Sequence, residues 1–251
     1  MQIVLLTSDE GYLSRVFFEE LTQQLRGTDI EIKKIFFLNT KARTRIQDKL
    51  RKAFFLFSPA DLLHSVWSSF MQRVRPLLSS HHLSFETAYK ISRISLLEKL
   101  KGVAPFDVLV SFNNPVILDA PILSLAPLAV NVHNGRLPEY RGLYTPLWQI
   151  LNGEKDITVT VHTMTEEIDK GKILMEQALP VKYISFRELL IALRRADAQA
   201  LKETLMKIKS GDTDGTRRVT TDGKYYGEPS SEELRRVRKK LKGIMNQLPR
   251  S

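Results

Sequence analysis

Apolar residues in this chain gather into short unbroken runs, separated by segments in which they recur at helical spacing. The run QIVLL opens the chain as a strand, a helix is predicted through YLSRVFFEELTQQL, and a second strand follows at IEIKKIFFL. FDVLVSF and LAVNVH are further runs of this kind, and ITVTVHTM alternates like a strand exposed on one face. Strands separated by helical segments predict an α/β fold with a mostly parallel sheet flanked by helices. In such sheets ligands bind beyond the carboxyl ends of the strands.

Residues 41–100 read differently. Leu, Phe, Trp and Met are scattered there at roughly helical spacing and interrupted by Pro59 and Pro76, which predicts a helical insert of two or three helices on one edge of the sheet. Its aromatic segment AFFLFSPADLLHSVWSSF is read as core or homodimer packing rather than a membrane-touching surface. His64 within it is read as packing, and His81 and His82, which precede a polar turn, as surface residues.

Beyond residue 180 the helix signals are strong. SFRE, starting at Ser185, forms a capping box, and Leu189, Leu190, Leu193, Leu201, Leu205 and Ile208 mark one apolar stripe that ends at Gly211. The segment SGDTDGTRRVTTDGKYYGEP is read as a loop. A short C-terminal helical tail follows, with Ser230 capping, Glu233 three residues later, and Leu234, Val237, Leu241 and Ile244 on one side; its other faces are basic.

Composition narrows the functional classes. A chain of 251 residues is long enough for one large domain, or for a core domain with a small appendage. No run of apolar residues is long enough for a transmembrane helix, so no integral membrane association is expected. The start MQIVLLTSDEG, without a basic leader or a cleavage site of small residues, reads as a first strand. The absence of cysteine excludes disulfides and thiolate chemistry, which suits a reducing cytoplasm. The net charge of +10 is concentrated at the two ends, while residues 101–210 are nearly balanced. That distribution fits a solubilising surface as well as it fits anion attraction.

The candidate chemistry sits at NVHNGRLPEYRG. Asn131 and His133 fall at the carboxyl end of an apolar strand, directly before a turn rich in glycine and proline. In ITVTVHTMTEEIDKGKIL a second strand leads to an acidic loop containing Asp169. If both strands end on the same side of the sheet, Asp169 can approach His133, fix its orientation and favour its charged form. With the amide of Asn131, the group would hold the oxygen of a carbonyl under attack. His133, His162 and Asp169 lack the spacing of a compact metal motif, so no metal is expected. There is no G-x-G-x-x-G, which excludes the dinucleotide fingerprint.

Residues 131–174, carrying N-x-H, LPEYRG, a strand histidine seven residues before Asp169, and IDKGKIL, resemble the catalytic signature of the 10-formyltetrahydrofolate-dependent formyltransferases. The resemblance implies a Rossmann-like catalytic domain over residues 1–210, with residues 211–251 as a C-terminal loop and basic helix. It also implies a triad of Asn131, His133 and Asp169, in which an acceptor amine attacks the formyl carbon. A folate pocket built largely of main chain is implied too, at Pro115, Val116 and Ile117 in one loop and at Met164, Glu166 and Glu167 in the other.

Two departures bear on the acceptor. Asn134 and Gly135 stand where relatives often carry a small residue or proline and then serine. The loop TSDEGYL, with Ser8 and Asp9, is acidic where the purine enzyme has a glycine-rich phosphate cradle, so glycinamide ribonucleotide is not the expected acceptor. The stretch YRGLYTPLWQILNGEKDITVTVH resembles the sugar N-formyltransferases. The expected acceptor is therefore the amine of a nucleotide-linked amino sugar or a similar small amine, with Ser8, Asp9, Arg136 and Arg141 on its side of the cleft and an arginine meeting its diphosphate. Methionyl-tRNA is the alternative, although the 41 residues after Ser210 are too few for an appended β-barrel. An inactive folate-binding or interaction protein of the same fold is a further alternative.

Overall fold

The strand β1 (Gln2–Thr7) is buried from Ile3 to Thr7 because it lies inside a sheet. Its side chains divide by parity: Ile3 and Leu5 enter the core cluster on one face, and Val4 and Leu6 enter the cluster on the other. The computed structural model describes residues 1–39, 74–89, 91–181, 185–214, 217–219 and 223–247.

After β1 come α1 (Tyr12–Leu25), β2 (Glu31–Asn39), α2 (Val74–Ser80), β3 (Phe85–Tyr89), α3 (Arg93–Lys101) and β4 (Val108–Phe112). Next are α4 (Ala120–Leu123), β5 (Leu128–His133), β6 (Arg141–Gly142), α5 (Thr145–Asn152), β7 (Asp156–Thr163) and β8 (Lys172–Pro180). The described chain closes with α6 (Phe186–Lys209), β9 (Arg217–Arg218), β10 (Tyr225–Tyr226) and α7 (Ser231–Gln247). Eight strands form one sheet in the order β3-β2-β1-β4-β5-β7-β8-β9. Pairings from β3 through β5 are parallel, and those from β5 to β9 are antiparallel. The α/β reading with a mostly parallel sheet holds. Strand order reverses between β1 and β4, which opens a crevice at their carboxyl ends.

Core residues of α1, α2, α6 and α7 join the cluster on one face, whereas those of α3 and α4 join the other. The two strongest helix predictions are met. Ser185 Oγ accepts from Glu188 N at 3.2 Å, and Gly211 takes a left-handed φ of 84° just past the end of α6. At α7 the capping box is reciprocal, Glu233 N donating to Ser230 Oγ and Ser230 N to Glu233 Oε2.

Three readings need correction. Part of the stretch expected to be helical forms β3, which pairs with β2 from Ile35–Phe85 to Asn39–Tyr89. A five-residue edge strand carries little local signal, and its partner decides its conformation. ITVTVHT is not exposed on one face, since β7 lies between β5 and β8 and is buried throughout its middle. Of the buried threonines responsible for the apparent alternation, Thr160 donates its Oγ1 hydrogen to Gly135 O, while the main chain of Thr158 donates to Gln149 Oε1. Finally, the segment read as a loop between α6 and α7 contains β9 and β10. The aromatic segment of the insert and His64 lie outside the described residues. His82 is exposed, as expected, and His81 partly so.

Candidate functional site

Asn131 and His133 lie on β5, and in the antiparallel register Asn131 pairs with His162 of β7. Paired residues project from the same face of a sheet, so the amide and the imidazole meet. Asn131 Nδ2 is 3.2 Å from His162 Nε2, and His162 Nδ1 is 2.8 Å from the Thr163 carbonyl. A carbonyl only accepts, so His162 Nδ1 carries a hydrogen; in the neutral ring Nε2 accepts from Asn131, and in the protonated ring it donates toward Asp169 Oδ1, 3.6 Å away. One amide hydrogen of Asn131 is thereby directed inward, and the other remains for a ligand.

Asp169 reaches the same point by an unexpected route. β5 and β7 are antiparallel, so they end at opposite sides of the sheet rather than on the same side. The loop between β7 and β8 doubles back instead. Gly171 makes this fold possible, because a Cβ there would lie 1.5 Å from the Thr163 carbonyl oxygen. Asp169 itself takes a left-handed φ of 56°, uncommon for a residue with a side chain. Its Oδ1 lies 3.7 Å from His133 Nδ1 and 3.6 Å from His162 Nε2, and its Oδ2 accepts from Gly142 N at 2.9 Å. The expected approach of Asp169 to His133 is therefore present.

The electrostatics of the group follow from its burial. Asp169 is 8% exposed; burial alone would raise its carboxyl, but His133, His162 and the Gly142 N–H outweigh it and hold the carboxyl well below the usual carboxylate range. For His133, burial prevails and pushes the imidazole down, against the pull of Asp169 and the Tyr140 carbonyl. His133 Nε2 donates to that carbonyl at 2.6 Å. The resting site thus holds an ionised carboxylate against an imidazole inclined to neutrality.

The turn after His133 accounts for the residues at which this chain departs from the pattern. A Cβ on Gly135 would stand 2.4 Å from Tyr140 O and 2.6 Å from His133 Nε2, so a serine does not fit there. Asn134 is held from every side. Its Oδ1 accepts from Arg194 at 3.1 Å, its Nδ2 donates to Asp197, and its carbonyl accepts from Thr145 Oγ1 and Gln149 Nε2. Arg194 also bonds Asp197 at 2.7 Å and Glu10 at 3.0 Å. Burial pushes the Asp197 carboxyl up to about 6 despite Arg194 beside it.

The remaining predicted residues divide into two groups. The loops after β4 and β7 do meet, Ala120 N donating to Glu166 Oε1 at 3.4 Å. Val116 and Met164 pack onto the second core cluster, Pro115 and Ile117 are exposed, and Glu167 is turned to Lys170. Ser8 exchanges hydrogen bonds with Asn113, donating to its carbonyl and accepting from its amide, which joins the loops after β1 and β4 at the crevice. Asp9 accepts from Gly11 N, Arg136 is exposed, and Arg141 donates twice to Ile168 O beside Asp169.

His162 as partner of Asn131, the main-chain groups of Tyr140 and Gly142, and the Arg194 network were not identified from sequence. His162 was within reach, as it appears in the quoted motif. Backbone groups leave no compositional trace, and Arg194 lies some 60 residues from the turn it holds.

The formyl transferase family model matches residues 1–205. Among solved structures, glycinamide ribonucleotide transformylase 1 from Symbiobacterium toebii is similar at 17% identity over 87% of this chain and 94% of that one, with a TM-score of 0.59. A 4-N formyltransferase from Francisella tularensis is similar at 18% identity over 90% of this chain and 75% of that one, with a TM-score of 0.53. A sugar N-formyltransferase from a Shewanella species gives 14% identity over 96% and 87%, with a TM-score of 0.56.

Proposed function

The chain belongs to the formyl transferase family and is a formyl group transfer enzyme, and we propose that it moves a formyl group from 10-formyltetrahydrofolate to the primary amine of a nucleotide-linked amino sugar or a similar small amine. The observation that carries the reading is the convergence of Asn131, His133 and Asp169 at the carboxyl end of β5, each held by a named partner.

In this reading the amine nitrogen attacks the formyl carbon and the carbonyl electrons move onto oxygen. Asn131 donates its free amide hydrogen to that oxygen. His133 takes up the proton that the attacking amine releases, passed through water beside Asp169, and its positive charge stabilises the oxyanion with the Asp169 carboxylate alongside. The tetrahedral centre then breaks its bond to the folate nitrogen, which takes up that same proton through water, and tetrahydrofolate departs.

The donor is assigned to the crevice where the loops after β4 and β7 meet. Asp119 Oδ1 in that region is buried and has no hydrogen-bond partner among the described residues, which suits a ligand with N–H groups, as a pterin has. On the acceptor side, Arg141 at the rim suits a diphosphate. The acidic residues of the loop after β1, with Glu10 tied to Arg194, do not form a phosphate cradle.

The test is release of tetrahydrofolate when the protein is incubated with 10-formyltetrahydrofolate and either aminodeoxy nucleotide sugars or Met-tRNA. Turnover is expected with an amino sugar. Turnover with charged tRNA alone overturns the acceptor, and none with any amine favours a folate-binding protein that kept the fold. His133→Ala is expected to abolish transfer while leaving folate binding intact.

A further inference from the structure

Residues 223–227 lie beyond the 205 residues that match the family. The structure presses this stretch onto the turn that follows His133. β10 runs parallel to β6, with Arg141 N donating to Lys224 O at 3.1 Å and Leu143 N to Tyr226 O at 2.8 Å. Tyr226 is 6% exposed; its ring stacks on Tyr140 with centroids 5.4 Å apart and lies 5.0 Å from the Trp148 ring. Its hydroxyl accepts from Asn152 Nδ2 at 3.0 Å, and Trp148 Nε1 donates to Gly227 O at 3.0 Å.

The seam has no spare room. A Cβ on Gly142 would lie 2.4 Å from Tyr226 O, and one on Gly223 would lie 1.5 Å from Pro138 O. The clamped residues are also the ones whose main chain holds the site. The Tyr140 carbonyl receives His133, and the Gly142 N–H donates to Asp169. The turn's own hydrogen bond, Tyr140 N to Arg136 O, closes it on itself, and outside the strand it is tied by side chains, Tyr140 through its hydroxyl to Glu154 and Asn152 and Arg141 to Ile168 O.

We propose that the strand Tyr225–Tyr226 is a working part of the catalytic centre, with Tyr226 a positioning residue that holds the backbone groups of Tyr140 and Gly142 against His133 and Asp169. Its effect on turnover rests on the formyl-transfer reading, but its effect on the site does not. The charged and titratable groups facing His133 are Asp169, His162 and Arg141, and the seam meets Arg141 through the main chain, its N donating to Lys224 O. A change in His133 on altering Tyr226 therefore reports movement of the turn.

The experiment is an NMR titration of the histidine Cε1 protons in the full chain, His133 being assigned by its loss in His133→Ala. In Tyr226→Leu, release of the turn is expected to shift the His133 pKa by roughly half to one unit, with His81 and His82 unmoved. Tyr226→Phe keeps the ring and is expected to retain the native titration. Formyl transfer by Tyr226→Leu is expected to fall about tenfold in kcat with the donor KM little changed. Should Tyr226→Leu fail to fold, Gly223→Ala lifts the strand off Pro138 without altering Tyr226, and the same shift is expected. An unchanged His133 titration in the folded variant overturns the proposal. If the native protein transfers formyl to no amine, the functional reading fails while the titration still decides this one.

Discussion

Asn131 Nδ2 lies 3.2 Å from Nε2 of His162, so the amide at the centre of the site is aimed by a histidine on the neighbouring strand. On the proposed reading, His162 acts through Asn131 and does not touch substrate. Replacing it with phenylalanine keeps an aromatic ring in a site only 2% exposed and removes the acceptor. We expect kcat to fall about tenfold, with little change in donor KM, because a misdirected donor loses much of its value. Steady-state kinetics decide it, and an undiminished kcat would remove His162 from this role.

Gly135 illustrates how a departure from a family pattern acquires a cause. The position admits no Cβ without pushing on His133 Nε2 or the Tyr140 carbonyl. Gly135→Ala is expected to destabilise the fold by about 1–3 kcal/mol, the usual cost of overpacking, and to lower Tm. A thermal melt superimposable on that of the native chain would sink the idea.

The strands that place this site were legible because β1, β4 and β5 are buried on both faces and therefore read as unbroken apolar runs. Asn131 and His133 stood out as the polar residues at the end of such a run. β3 was hidden, since a short edge strand takes its conformation from its partner β2. The direction of β7 was also hidden. Nothing in ITVTVHT says whether it runs with or against β5, and the meeting of Asp169 with His133 depends on a loop that reverses at Gly171. Tyr140 and Gly142 contribute backbone groups, a carbonyl and an N–H that almost every residue type carries; only the glycine requirement at position 142, with φ of 96°, marks the place.

Asp169 makes acid stability a test of its contacts. Its folded pKa is depressed, so its contribution is fully present above the unfolded carboxylate value near 3.9 and is lost as pH falls through the lower folded value. Burial of His133 acts in the same direction, because its depressed pKa makes the unfolded chain bind more protons over the window just below the usual histidine value. Asp169→Asn is expected to flatten the acid limb of a stability-against-pH curve and, on the proposed reading, to lower kcat about 1000-fold by removing the charge beside His133. An acid limb as steep as that of the native chain would show that Asp169 does not carry this dependence.

Arg194 ties three segments of the chain together. Its guanidinium is 8% exposed and reaches Glu10 on the loop after β1, Asn134 on the turn after β5, and Asp197 on its own helix. Burial alone would lower its pKa, but Glu10 and Asp197 hold it above the usual arginine range, so it stays charged. Asp197, wholly buried, is already pushed up to about 6 with the arginine in place. Arg194→Met leaves that carboxyl without its cation, and breaking a buried pair from one side costs about 3–5 kcal/mol. Urea unfolding at neutral pH is expected to show a loss of that size. Adding Asp197→Leu to Arg194→Met is expected to restore part of the loss, since the stranded carboxyl is then gone. A single variant within 1 kcal/mol of the native chain, or a double variant weaker than the single, would mean that this node does not hold the turn.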